Sequence, residues 1–281
     1  MIDLHTQSSF SDGTDSPSGL VNKALSQGIK ILGLTDHDST KGWSEAIGAL
    51  RADLQLVLGA EISCLTDDGI SVHMLGLLFD RETPEMAKML EELSDNRVPR
   101  AMKIIELLGA AGYEISMEDV LSVMPDGATL GRPHIADALV KLGIVKSRDD
   151  AFTDLLHNNS PYYVSQVAPT PVSVIRQIRA AGGVSVIAHP FASLRGRTLD
   201  VATFSEMAAA GLNGIEVDHR DQNSKERAIL RGIADDLNLV VTGSSDYHGT
   251  GKQNVLGECT TDLGQWEELE AGANQRRVLR I

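Results

Sequence analysis

The chain has 281 residues, 42% hydrophobic and 23% charged, enough for one large α/β domain or for such a domain carrying an inserted module. Its formal charge of -14 argues against the broad basic face that long duplex nucleic acid requires. No apolar run approaches the roughly 20 residues that span a bilayer, and Asp3, His5 and Gln7 replace the basic-then-apolar start of a leader, so a cytoplasmic protein without a membrane partner is expected.

The predicted elements alternate at first. Residues 2–5 read as a strand and residues 16–27 as a helix, with Ser16 as N-cap and Pro17 at its first position. A strand at 31–35, a helix at 43–51 and strands at 54–63 and 72–79 follow, which predicts β-α units with parallel strands. From residue 83 the pattern turns helical. Met86, Met89, Leu90 and Leu93, then Ile104, Ile105, Leu107 and Leu108, recur at helical spacing, with Pro99 predicting a kink or break. Shorter helices are expected at 117–124, 132–142 and 149–158, so residues 83–165 form a helical insertion between segments 1–82 and 166–281. The alternation resumes with a helix at 171–181 stopped by Gly182-Gly183, then a strand at 184–188, a helix at 201–210, a strand at 214–218, a helix at 224–238 and a strand at 239–242. A barrel of about seven such units explains the pattern, because parallel barrels hold their chemistry at the strand C-terminal ends.

Polar clusters sit at those ends: DLHTQSSFSDG at 3–13, TDHD at 35–38, GAEIS at 59–63, VHMLG at 72–76, AHP at 188–190 and SDYHG at 245–249. His5 and Gln7 lie two apart, on the same side of an extended chain, and can reach one ion together. Taken singly, His5 reads as a turn histidine, Asp12-Gly13 as an ordinary turn and His73 as a core histidine. Six clusters at separate strand ends are a poor match to independent turns. Dense polar groups cost several kcal/mol when buried unpaired, and carboxylate plus imidazole is the ligand mix that holds Zn, Mn or Fe while leaving room for water. Glu61, with two oxygens, can bridge two ions. Cys64 and Cys259 lie far apart outside any CxxC spacing, so neither a disulfide framework nor a thiolate site is indicated.

These residues resemble the PHP family, the polymerase and histidinol phosphatase metal-dependent phosphoesterases, in which an HxH pair, a later Asp or His, a TDH, a Glu, an AHP-type His and a terminal DxH occur in this order. The resemblance covers the whole chain. It implies an α/β fold, a distorted (β/α)7 TIM-like barrel with an inserted small helical domain that caps the substrate. It also implies two or three divalent ions, Mn, Fe or Zn: one held by His5, position 7, Glu61 and Asp246, a second by Glu61 and His189 with His73, a third by Asp12, His37 and His248. Metal-activated hydroxide is the implied nucleophile, with Asp246 and His189 as candidate catalytic proton carriers. Position 7 departs from the family, where histidine stands. Gln7 offers a neutral oxygen or an amide nitrogen, a weaker ligand than imidazole, so the first ion is expected to be loosely held or lost.

In the insertion, GRPHIA at 131–136 places Arg132 and His134 at a helix start, where guanidinium, imidazole and backbone N–H groups can converge on phosphate. The segment resembles the branch of the family that includes nucleoside 3',5'-bisphosphate phosphatases and a 5'-to-3' exoribonuclease. The expected activity is therefore hydrolysis of a phosphomonoester of a small nucleotide, the 3'-phosphate of a nucleoside 3',5'-bisphosphate above all. Stepwise cleavage of short 5'-phosphorylated oligonucleotides is the alternative, and a weakly active member that binds phosphorylated ligands is a third reading, resting on Gln7. Arg195 and Arg197 follow the AHP turn and are candidates for a second phosphate contact. His219, after its strand, points toward the same end of the barrel. The sequence leaves the oligomeric state open.

Overall fold

In the computed structural model, which describes residues 1–193, 196–274 and 278–280, one seven-stranded sheet runs in sequence order. Its strands are β1 (Ile2–Asp3), β2 (Ile31–Leu34), β3 (Gln55–Leu65), β4 (Ser71–Leu77), β5 (Val184–Ala188), β6 (Gly214–Asp218) and β7 (Val240–Gly243). The last strand returns toward the first. Thr6 bridges Tyr247 in parallel sense, and the Gln7 N–H donates to the Tyr247 carbonyl at 2.8 Å, so the sheet curls into a nearly closed barrel. The helices are α1 (Pro17–Ser26), α2 (Trp43–Ala49), α3 (Pro84–Ala110), α4 (Met117–Leu121), α5 (Arg132–Lys141), α6 (Arg148–Asp154), α7 (Pro171–Ala180), α8 (Val201–Ala210), α9 (Ser224–Leu237) and α10 (Leu263–Ala271). The start of α1 follows its sequence signal: Ser16 Oγ accepts the Gly19 N–H at 3.1 Å and Pro17 opens the helix.

The strands are apolar on both faces, as strands covered on both sides must be. Ile2, Leu4, Ile31, Val57, Leu75, Val186 and Val240 form one cluster with Trp266 and Leu269 of α10, a helix that the sequence pattern did not reveal. Leu32, Leu34, Leu56, Ile187 and Ile215 pack in a second layer with Leu20, Trp43, Ile178 and Phe204 of the surrounding helices. Adjacent strands approach closely at Gly33, where an added Cβ would fall 2.2 Å from the Leu4 carbonyl oxygen.

Two expectations need correction. The strands are not all parallel, because β4 pairs antiparallel with both β3 and β5. Only residues 66–70 separate β3 from β4, whereas a parallel crossover needs about a dozen; Gly69, at φ 84°, shapes a hairpin turn closed by the Thr66 N–H donating to the Ile70 carbonyl at 2.9 Å. Pro99 does not end its helix either, since α3 runs unbroken through it. Met86, Met89, Leu90 and Leu93 pack with the barrel layer, while Ala101, Ile104 and Leu108 join Val120, Ile135, Leu139, Ala151 and Leu155 in a separate core. Pro99 falls between these two anchored halves, where packing on both sides outweighs one missing backbone hydrogen bond. Among the described residues, no helix is long and apolar enough to cross a membrane.

Candidate metal centre and phosphate contacts

The barrel end away from Trp266 collects the polar clusters. His5 and Gln7 continue from β1, the 35–38 segment follows β2, and Glu61 sits within β3 where pairing changes from parallel with β2 to antiparallel with β4. His37 and Glu61 form an isolated parallel bridge across this point. His73 opposes Ser63 and Ala188 near the start of the reversed strand β4, His189 directly follows β5, and Asp246 and His248 follow β7. His189 and Asp246 both have positive φ, 32° and 52°, a sparsely populated backbone state that concentrates at functional sites.

Glu61 is the hub. His5 Nε2 and His37 Nδ1 lie 3.0 and 3.2 Å from its Oε2, and His73 Nδ1 and His189 Nε2 lie 2.7 and 3.2 Å from its Oε1. A second group forms beside it: His248 Nε2 is 3.2 Å from Asp12 Oδ1, and His37 Nε2 is 3.9 Å from Asp12 Oδ2. In the sets His5–Glu61–His189, Asp12–His37–His248 and His37–Glu61–His73, one donor atom per residue lies within 4.8 Å of the others.

The donor chemistry fits a divalent ion. Asp12 Oδ1, His37 Nδ1, His73 Nδ1 and His248 Nε2 are buried without a hydrogen bond, although Asp12 and His248 are near neighbours, so proximity without hydrogen-bond alignment marks atoms aimed at something else. The tautomer of His248 supports this. Its Nδ1–H donates to the Asp246 carbonyl at 2.7 Å, which leaves the Nε2 lone pair facing Asp12. Burial lowers the pKa of the His37 imidazole to about 4, against the pull of Glu61 and Asp12, so it is neutral and able to ligate. Burial alone would raise the carboxyl groups of Asp12, Glu61 and Asp246. Neighbouring imidazoles and the Lys252 ammonium outweigh it: His248 and His37 for Asp12, His37 and His5 for Glu61, Lys252 and His248 for Asp246, and all three stay well below the ordinary carboxylate range.

Glu216 and Lys252, which the sequence motifs did not reveal, join His219 in holding these groups in place. Glu216 of β6 is fully buried; its Oε1 lies 3.1 Å from His5 Nδ1 and its Oε2 accepts the His189 N–H at 2.9 Å. Its signal was the buried one of two acids in the strand GIEVD, visible only once the inward face is known. His219 is buried too, its Nδ1 accepts the Asp221 N–H at 3.0 Å, and its Nε2 lies 3.4 Å from Asp246 Oδ2, which places it against the site as its strand end suggested. Lys252 Nζ donates to Asp246 Oδ2 at 2.9 Å.

Gln7 does not take the ligand pose expected of it. Its Oε1 accepts from Ser11 Oγ at 2.7 Å and from the His37 N–H at 3.1 Å, while its Nε2 donates to Glu61 Oε2 at 2.6 Å. An amide nitrogen has no lone pair to offer a cation.

From the insertion, Arg132 and His134 arrive at the start of α5 as predicted. The Arg132 guanidinium lies over the rings of Phe152 and Tyr163, 5.6 and 5.4 Å from their centroids, and its Nη1 donates to the Leu156 carbonyl and to Asn158 Oδ1, each at 2.8 Å. Among the described residues it has no carboxylate partner. Arg100 lies in the same condition: its Nε donates to the Val164 carbonyl at 2.8 Å, and burial together with the charges of Arg132 and Arg97 lowers it to about 10. His134 is turned inward, 2% exposed, and its Nδ1 accepts the Gly131 N–H at 3.1 Å. Arg197 pairs with Asp68 at an exposed position, and Arg195 lies outside the described residues.

A barrel whose open end gathers imidazoles and carboxylates around a shared glutamate defines a metal-dependent hydrolase. Comparison with known proteins agrees. Residues 3–122 match the PHP domain. The chain is 32% identical to a 3',5'-nucleoside bisphosphate phosphatase of Chromobacterium violaceum, covering 99% of this chain and 98% of that protein. It is 33% identical to a 5'-3' exoribonuclease of Haemophilus influenzae over 88% of this chain and 89% of that one. A crystal structure from Bifidobacterium adolescentis, of a candidate metal-dependent phosphoesterase, superposes with a TM-score of 0.91 at 38% identity over 97% of this chain and 96% of that one. The chain belongs to the PHP family of metal-dependent phosphoesterases.

Proposed function

We propose that this phosphoesterase hydrolyses a phosphomonoester of a small nucleotide, the 3'-phosphate of a nucleoside 3',5'-bisphosphate, with residues 83–165 as a cap over the barrel mouth. The observation that carries this reading is the pair of part-buried guanidinium groups, Arg100 and Arg132, that lack a carboxylate partner among the described residues. Two like charges held together in a poorly hydrated place favour an anion between or beside them. A substrate with two phosphates suits one group at the metal residues and the other at Arg132. His134 then fixes the helix start from which Arg132 reaches.

Bound Mn, Fe or Zn would supply charge neutralisation for the phosphate and an activated water. The residues that would hold such ions are Asp12, His37 and His248 on one side and, on the other, Glu61 with His73 and His189, which both face its Oε1, with His5 and Asp246 beside them. Glu216 positions His5 and His189, and Asp246 and His189 are the groups placed to carry protons. The acidic chain favours a small substrate over a long polymer.

Release of inorganic phosphate from a nucleoside 3',5'-bisphosphate, measured against release of mononucleotides from a short 5'-phosphorylated oligonucleotide, tests the reading. Phosphate release from the bisphosphate with Arg132→Ala raising KM is the expected result. Mononucleotide release alone would transfer the assignment to a stepwise exonuclease, the activity named for the Haemophilus relative.

A further inference from the structure

The first of the three expected ion positions is the one where the chain supplies its own donors. The Gln7 carboxamide is fixed from one side, because the His37 backbone N–H, 3.1 Å away, can only donate and so requires the amide oxygen to face it. Ser11 Oγ lies 2.7 Å from the same oxygen, its single hydrogen shared with Asp36 Oδ1 at 2.7 Å. Nε2 is thereby directed at Glu61 Oε2, 2.6 Å away, and toward His5 Nε2 at 3.5 Å. Across the position, Asp246 Oδ2 receives the Lys252 ammonium at 2.9 Å, while its Oδ1 stays 3.3 Å from His5 Nε2.

Buried atoms left without a hydrogen bond fall on Asp12 Oδ1, His37 Nδ1, His73 Nδ1 and His248 Nε2, and at the first position on His219 Nε2, 3.4 Å from Asp246 Oδ2, but on no atom of His5, Gln7, Glu61 or Asp246. The donor atoms of His5, Glu61 and His189 do converge, but the Glu61 oxygen that His5 faces is the one already taken by the Gln7 amide.

We propose that Gln7 and Lys252 together close the first ion position, so that this chain builds a two-ion centre: one ion among Glu61, His73 and His189, the other among Asp12, His37 and His248. A neutral amide and a single positive ammonium stand where a divalent cation would otherwise balance Glu61 and Asp246. The inference rests on reading these residues as a metal centre, and its test counts ions rather than turnover.

The chain is saturated with manganese, freed of excess by gel filtration, and its metal content is measured by plasma mass spectrometry, with circular dichroism to confirm folding. Two ions per chain are expected for the wild type, one for Asp12→Ala, two for His5→Ala, and three for the Gln7→His/Lys252→Ala double variant. Three ions in the wild type, loss of an ion in His5→Ala, or a folded double variant that stays at two would overturn the proposal. If the double variant does not fold, the wild-type and His5→Ala counts decide alone. A wild type that retains no ion sinks the metal-centre reading itself, a result distinct from a count of three.

Discussion

Arg97 of α3 and Asp38 at the barrel rim form a buried ion pair that joins the insertion-bearing helix to the site. Arg97 Nε donates to Asp38 Oδ2 at 2.9 Å, Ser63 adds its N–H at 2.7 Å, and Arg97 Nη1 reaches the Leu130 carbonyl at 3.1 Å. Burial alone would raise the Asp38 carboxyl, but Arg97 outweighs it and holds it below its usual value. Replacing Arg97 by Leu strands a buried charge, and the expected cost is about 3 to 5 kcal/mol. Urea unfolding measures it. Adding Asp38→Asn should recover part of the loss, and simple additivity of the two changes would argue against direct coupling.

Metal should stabilise the fold. An ion present at 100 times its Kd adds about 2.7 kcal/mol, so manganese or zinc raises the melting temperature and a chelator reverses the shift. In Asp12→Ala the gain should shrink. An unchanged shift in that variant would place the stabilising ion elsewhere.

Glu216 acts through His5 and His189 rather than on a ligand of its own. Glu216→Gln keeps its size, and a loss of about 10- to 100-fold in metal affinity or activity is expected, the range for residues that orient metal ligands. Metal titration with a competing chelator reads the affinity. Glu61→Gln, which removes the shared carboxylate, should cost more than Glu216→Gln.

Gly13 closes the first ligand loop where no side chain fits. A Cβ there would lie 2.4 Å from the Gln7 carbonyl oxygen and 2.9 Å from that of Ser8, both backbone atoms that cannot step aside. Gly13→Ala should therefore lower stability by about 3 kcal/mol, as overpacking does, and should weaken metal binding through Asp12. Gly48→Ala, in open space on α2, is the control and should be neutral or slightly stabilising.

The two thiols should differ in reactivity. Burial pushes the Cys64 thiol well above its usual pKa, and the nearby Asp38 charge adds to it; Cys259, half buried, is raised as well. Since the thiolate is the reactive form, raising the pKa suppresses reaction at pH 8 and below. An alkylating reagent at pH 8 should label Cys259 slowly and Cys64 only after denaturation. Rapid labelling of Cys64 in the native chain would show that β3 opens.

Much of the candidate cluster was legible because strand ends announce themselves: an apolar run followed at once by His, Asp or Glu is poor core material, so Asp12, His37, Glu61, His189, Asp246 and His248 could be expected at one end before any fold was known. Glu216 and Lys252 were hidden for opposite reasons. Glu216 lies inside a strand beside Asp218, where the letters give no sign of which acid is enclosed, and Lys252 meets Asp246 only through the turn after β7. The role of Gln7 needed the positions of Ser11 and the His37 N–H, which no linear pattern encodes. The reversed β4 could have been read from the five residues that join it to β3, a loop too short for a crossover.

That reversal also governs how the helical module is mounted. A parallel strand would have released the chain at the catalytic mouth, but β4 ends at the opposite pole, so α3 must climb the outside of the barrel before it can serve as a support. Pro84 to Arg97 is thirteen helical steps, about 20 Å, the same rise as the six steps of β4 at about 3.3 Å each. The helical module that follows is thus carried on a stiff strut footed at the far pole. Its height is set by helix pitch rather than by a flexible hinge.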